Sequence, residues 1–284
     1  MSILDVKRTK QDFLKHKSKS SANTLTTYTY LFKSIEKFCL SKYDSSLENI
    51  IEELSIVENP QEQVESLLQN YIDELEAEGK SHSTVSCYSC IAKNYLKYRR
   101  VKFDKDELET CLNFKKERQS EKYPLTKEEI KTLLDHASFE SRAKILLQSG
   151  SGFRISELIT LRKSDINTGL ERYTATIRAE NAKNGIERTT IISSEAMPYL
   201  DKILENKNDN DLIFYHNAKC IRNAVVSEIE TFDRVRKSAN LDMTYDNKKN
   251  HKITTHSFRA FFISQFEKTY SGFGHVLSGH GKYM

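Results

Sequence analysis

Ser149-Gly-Ser-Gly-Phe-Arg154-Ile-Ser-Glu157-Leu-Ile-Thr-Leu161 is the stretch on which the reading of this chain turns. A glycine-broken turn delivers an arginine to the start of an amphipathic helix, and a glutamate follows three residues later on the same face. Gly150 and Gly152 lack the third glycine of a dinucleotide fingerprint, because position 155 is isoleucine, and no strand-then-acid pattern follows. The stretch is therefore a joint between helices that presents an arginine. Working back from it, Ser141–Gly150 and Lys127–His136 have helical periodicity, and Thr126-Lys-Glu-Glu129 reads as a capping box. Working forward, Ile155–Leu161 is helical. Tyr173–Arg178 and Glu187–Ile192 alternate as strands, with Asn184-Gly185 as a hairpin-turn signal between them. Helices follow at Ser194–Asn206, Lys219–Asn240 and Ser257–Lys268.

The N-terminal part differs in kind. Thr24–Tyr43 repeats Leu25, Tyr28, Leu31, Phe32, Ile35, Phe38 and Cys39 at helical spacing. Gln61–Glu78 carries Val64, Leu67, Leu68, Tyr71, Ile72 and Leu75 on one face and stops at Gly79. A third helix opens at Ser81 or Ser83 and carries Val85, Tyr88, Ile91, Tyr95 and Leu96. Asn113–Tyr123 is polar, nearly free of aliphatic residues, and ends at Pro124, which marks a linker. The expected organisation is a basic, solvated tail over 1–19, an all-helical domain over 20–112, a linker over 113–124, and an α+β domain over 125–284 with a small antiparallel sheet.

Composition narrows the class. With 284 residues, 38% apolar and 30% charged, the chain is long enough for two cores and lacks an apolar run of membrane-spanning length. The charged N-terminus offers no signal-peptide core, so an intracellular, cytoplasmic and nucleoid-associated protein is expected. Five cysteines in such a chain argue against a disulfide framework. Cys87 and Cys90 have redox-motif spacing but lie in a helical stretch, and are read as packed thiols. Net charge is only +4, yet its distribution is uneven: Asn49–Gly79 holds nine acidic residues and no Lys or Arg, whereas Lys7–Lys19 holds six Lys or Arg. Basic strips of this kind suit a phosphate backbone.

Four islands could carry chemistry. The first is Arg154 with Glu157. The second is Lys183, by the hairpin turn. The third is Thr254-Thr-His256-Ser-Phe-Arg259-Ala-Phe-Phe-Ile263, in which His256 and Arg259 share a helix face while Phe258, Phe262 and Ile263 point inward. The fourth is Leu277-Ser-Gly-His280-Gly-Lys-Tyr283-Met284. The spacings of His251, His256, His275 and His280 fit neither a helical zinc pair nor a zinc finger, so no metal and no cofactor are expected.

Each island alone is weak, but their order is specific. Arginine, hairpin lysine, His-x-x-Arg, then Gly-His with a nearby tyrosine resembles the tyrosine recombinase family of phage integrases and Xer-type enzymes, from about Ser20 to the end. The resemblance implies a mainly α fold with a small antiparallel sheet, built as a helical core-binding domain and an α+β catalytic domain. It implies that Arg154 and Arg259 are the catalytic arginines, Lys183 the hairpin lysine, and His256 and His280 the two histidines. It also implies that Glu157 orients Arg154, and that a tyrosine attacks DNA to form a covalent 3′-phosphotyrosyl link without metal or ATP. The implied partner is double-stranded DNA, with a tetramer assembled on it.

The chain departs from the pattern near its end. Tyr283 is the only tyrosine after His280 and follows it by three residues, a shorter interval than the family's. Three readings stand: the nucleophile lies beyond Met284, Tyr283 serves, or the function is lost and a DNA-binding derivative remains. A monomer in solution is expected. The rivals are a regulator that binds DNA without cutting it, a type IB topoisomerase, and a helical protein-interaction scaffold.

Overall fold

The computed structural model describes residues 8–18, 22–115, 123–215, 220–245 and 250–279. The chain divides into two compact units, Met1–Gln119 and Ser120–Met284.

The first unit is all helical among its described residues: α1 (Lys10–Ser18), α2 (Ala22–Tyr43), α3 (Leu47–Ile56), α4 (Gln61–Ala77), α5 (His82–Tyr98) and α6 (Lys105–Cys111). Apolar stripes at helical spacing drive the packing. Leu31, Phe32, Ile35, Phe38 and Cys39 of α2 meet Val64, Leu68, Tyr71 and Ile72 of α4, and Val85, Tyr95 and Leu96 of α5, in one core. The helix starts are capped by side chains that relieve unpaired backbone N–H groups. Ser46 accepts from the Asn49 amide at 3.1 Å, Ser81 from Thr84, and Asp104 from Asp106 and Glu107.

Two features differ from expectation. Residues 10–18 fall within the expected solvated tail. They form α1, because Phe13 is buried among Tyr28, Phe32, Tyr95 and Tyr98. Cys87 and Cys90 were read as packed, but both are exposed on α5 and neither is in a disulfide. Most of the expected linker, residues 116–122, and residues 1–7 of the expected tail lie outside the described residues. Asn113 and Lys115 still belong to the first unit: their amides donate to Gln69 Oε1 and Glu76 Oε1.

The second unit contains α7 (Lys127–Asp135), α8 (Phe139–Ser151), α9 (Ile155–Ile159), β1 (Ile166–Asn167), β2 (Thr174–Ile177), β3 (Arg188–Ile191), α10 (Met197–Leu204), α11 (Ile221–Ser238), α12 (Thr255–Thr269) and α13 (Phe273–Ser278). The predicted capping box is present: Thr126 Oγ1 accepts from the Glu129 amide, and Glu129 accepts from the Thr126 amide. The antiparallel sheet runs β1-β2-β3, with Ile166 opposite Ala175 and Ile177 opposite Arg188. One core joins α8, the sheet and α10 through Leu147, Phe153, Ala175, Ile192 and Leu200. Another joins α7, α11 and α12 through Leu133, Phe232, Ile253 and Phe258.

The β2–β3 connection corrects the turn expected at Asn184-Gly185. The strands end at Ile177 and resume at Arg188, so residues 178–187 form a longer loop in which the Ala182 carbonyl accepts from the Gly185 amide. Among the described residues no helix is long and apolar enough to cross a membrane.

Candidate phosphate-binding site

The site is built where α8 ends. Gly152 closes that helix in the left-handed region at φ 69°, and its amide donates to the Gln148 carbonyl. This reversal aims Arg154, one residue before α9, back toward Glu157. The Arg154 amide donates to Glu157 Oε2 at 2.8 Å and its Nη1 to Oε1 at 2.7 Å. Glu157 is 1% exposed. Burial pushes its carboxyl up, but hydrogen bonds from Arg188 and the Arg154 backbone, with the Arg188 charge, outweigh it and hold it below the usual glutamate value.

Arg188, the first residue of β3, is the main partner of Glu157. Its Nη1 donates to Oε1 at 2.9 Å and its Nη2 to Oε2 at 2.6 Å, the bidentate fork in which guanidinium and carboxylate match best. Its Nε donates to the Leu277 carbonyl at 3.0 Å, on α13. Sequence reading missed this residue. An arginine in an alternating strand looks like a solvent-facing residue, and its partner lies 31 positions away.

Arg259 arrives from α12, which packs along α8 and against α13. It is 1% exposed. Its Nη1 donates to the Gly152 carbonyl and its Nη2 to the Ser278 carbonyl. Its Nε is buried and has no hydrogen-bond partner among the described residues. Burial pulls the guanidinium down to about 10, helped by the nearby Arg154 charge and opposed by Glu157. It therefore stays cationic at neutral pH while held by carbonyl oxygens, with no carboxylate in its described hydrogen bonds.

The structure thus brings Arg154, Glu157 and Arg259 into one region, with Arg188 added. Lys183 lies exposed in the β2–β3 loop, in the chain that leads into Arg188. His256 lies in the first turn of α12 and is exposed, whereas Arg259, one turn on, is buried. Phe258 and Phe262 pack inward as expected, and Ile263 is half-buried. His280 and Tyr283 lie outside the described residues. Among the described residues no group of three or more His, Cys, Asp or Glu side chains is placed to hold a metal ion.

Arg154 and Arg188 on the Glu157 carboxylate, with the Arg259 cation nearby, leave a net charge of about +2 in a largely buried space. A cluster of fixed guanidinium groups of this kind can hold an anion such as a phosphate. The chain belongs to the phage integrase family, the tyrosine recombinases: the family match spans residues 124–269, just over half of the chain and most of the second unit. Among relatives it is similar to tyrosine recombinase XerA of Pyrococcus furiosus, 25% identical over 247 residues that cover 86% of this chain and 74% of that protein. Among solved structures it resembles the Tn1549 transposon integrase in complex with transposon right end DNA. The TM-score is 0.66 and the identity 15%, covering 96% of this chain and 90% of that one. It also resembles a lambda integrase tetramer bound to a Holliday junction, with TM-score 0.65 and 17% identity over 99% of this chain and 81% of that one. At these identities the structural likeness speaks for the fold, mainly helical with a small antiparallel sheet.

Proposed function

We propose that this chain is a site-specific DNA recombinase that breaks and rejoins strands through a covalent 3′-phosphotyrosyl intermediate. The observation that carries the reading is Arg259, a buried cation with an unsatisfied Nε beside the Arg154–Glu157 pair. Attack on a phosphodiester spreads charge over the nonbridging oxygens. Two guanidinium groups fixed in advance stabilise that charge without a metal, and losing one such donor typically costs about 10²–10³ in rate. Glu157 orients Arg154. Lys183 protonates the leaving 5′ oxygen, a task worth about 10²–10⁴. A loop position suits it, since the lysine has to reach bound DNA. His256 and His280 hydrogen-bond the phosphate or move the nucleophile's proton. Tyr283 is the candidate nucleophile. The phosphotyrosyl bond conserves the energy of the broken linkage, so rejoining needs no ATP.

In this reading residues 20–112 form a core-binding domain and 125–284 the catalytic domain, both binding duplex DNA inside the cell. The chain is a monomer in solution, and the tetramer on DNA is the assembly of the full-length family. The DNA-bound states of the similar integrases support the choice of partner. Most affinity comes from phosphate contacts, so log affinity falls linearly with log salt. Gel shifts across a salt series, run beside plasmid topology assays, test the proposal. Strand exchange confined to plasmids carrying flanks of the native locus supports it. Relaxation of supercoiled DNA of any sequence points to a topoisomerase, and salt-insensitive binding removes the DNA reading.

A further inference from the structure

Glu157 has one negative charge and two arginine claimants. If Arg154 held both carboxylate oxygens, its guanidinium would be neutralised and turned away from a ligand. Instead the Arg188 fork takes both oxygens, and Arg154 shares only Oε1 through a single nitrogen. The backbone of Arg154 is pinned separately, by its own amide on Oε2. The same Arg188 side chain reaches the far side of the site, where its Nε holds the Leu277 carbonyl. It also lies against Gly279, where an added Cβ would fall 3.0 Å from its Cδ. Arg259 holds the next carbonyl, that of Ser278. The last turn of α13, which leads into His280, is therefore tied to β3 by one arginine and to α12 by the other.

We propose that Arg188 is a positioning residue for the phosphate site: it engages Glu157 so that the Arg154 guanidinium stays open to a phosphate, and it fixes the end of α13 against β3. A lysine cannot do this. It supplies the charge as a point, without two parallel donors for a carboxylate and a third for a carbonyl. The inference rests on the proposed phosphate chemistry of Arg154 and Arg259, but it assigns a role to a residue that chemistry does not require.

The test uses the full chain with Arg188→Lys, Arg188→Gln and Glu157→Gln, and two readouts. The first, which needs no nucleophile, is inorganic phosphate binding followed by ³¹P line broadening, with Arg154→Gln as the control that abolishes it. The second is single-turnover cleavage of nicked duplexes from the native locus, resolved into saturated rate and half-saturating DNA concentration. Both Arg188 variants are expected to bind phosphate about tenfold more weakly, as Glu157 closes on Arg154. Their saturated cleavage rate falls about 10²-fold, the cost of a misplacement of about 1 Å, while half-saturation barely moves. Glu157→Gln also weakens phosphate binding, since Arg154 loses the carboxylate that orients it. If Arg188→Gln fails to fold, Arg188→Lys, which keeps the charge and loses only the fork, still decides. Wild-type rate and phosphate affinity in Arg188→Lys overturn the proposal. A parent chain that binds phosphate through Arg154 but cleaves no DNA defeats Tyr283 as the nucleophile and leaves Arg188 to be judged on phosphate alone. A parent chain that does neither defeats both.

Discussion

Replacing Gly152 by alanine probes the joint that builds the site. At φ 69° any Cβ is strained, and here it would also fall 2.5 Å from Cδ1 and 2.7 Å from Cε1 of Phe262. Phe262 is 2% exposed, packed on α12 one turn beyond Arg259, and cannot swing into solvent. Left-handed backbone costs a non-glycine residue about 1–2 kcal/mol. Forcing an extra carbon into a packed core costs about 1–3 kcal/mol. The expected destabilisation is therefore about 2–5 kcal/mol. Gly185 supplies the control: its φ is +67°, and an added Cβ meets nothing within 4 Å. Gly185→Ala should pay only the backbone cost, so the gap between the two variants isolates the clash at about 1–3 kcal/mol. The assay is urea unfolding followed by circular dichroism, with peptide-level hydrogen exchange to assign the loss to the second unit. Equal destabilisation by the two substitutions would refute the argument that α8 and α12 meet through Gly152 and Phe262. Because the Gly152 carbonyl accepts from Arg259, the same variant should also weaken phosphate binding.

Other outcomes follow from the same contacts. Phe13→Ala should destabilise the first unit by about 3–5 kcal/mol and expose α1 to proteolysis; unchanged urea unfolding would mean that α1 does not dock. Lys144 and Glu228 form a buried pair at 2.7 Å, with Tyr215 donating to Glu228 at 2.9 Å. Lys144→Met should cost about 3–5 kcal/mol by stranding the glutamate, and Lys144→Met with Glu228→Leu should recover much of it in the same assay. Glu157 titrates below its unfolded value, about 4.3. A depressed carboxyl contributes stability that is present above the unfolded value and lost as pH falls through the folded one. Acid unfolding curves of wild type and Glu157→Gln should therefore converge as pH falls below the ordinary glutamate value and through the depressed folded one; a gap that widens toward acid would reverse the sign.

Much of the fold was legible because long helices repeat their signal. All six apolar positions assigned to the face of α4 are buried. Three things were hidden. The α1 helix has one deeply buried aromatic in nine mostly polar residues, which makes no periodicity; its docking depends on rings from α2 and α5. Asn184-Gly185 is a strong local turn signal, but strand pairing stops at Ile177 and Arg188, and the turn is absorbed into a wider loop. The α13 helix is six residues long, too short to show a face. In the site, Arg154, Glu157 and Arg259 were marked by their order along the chain. Arg188 was not, because its role exists only once β3 lies beside α9 and α13. A buried glutamate in an apolar helix was the one available clue, since such a group needs more than one cationic or N–H partner.

Covalent strand cleavage at an arginine-built phosphate site would leave the protein attached to DNA, which trapping detects. The full chain is incubated with nicked duplexes from the native locus, beside Arg154→Ala, Arg259→Ala and Tyr283→Phe, and denatured. A denaturant-resistant protein–DNA band is expected in the parent and should disappear in all three variants. A parent chain that binds the duplexes and yields no such band, or a band that survives loss of either arginine, would contradict it.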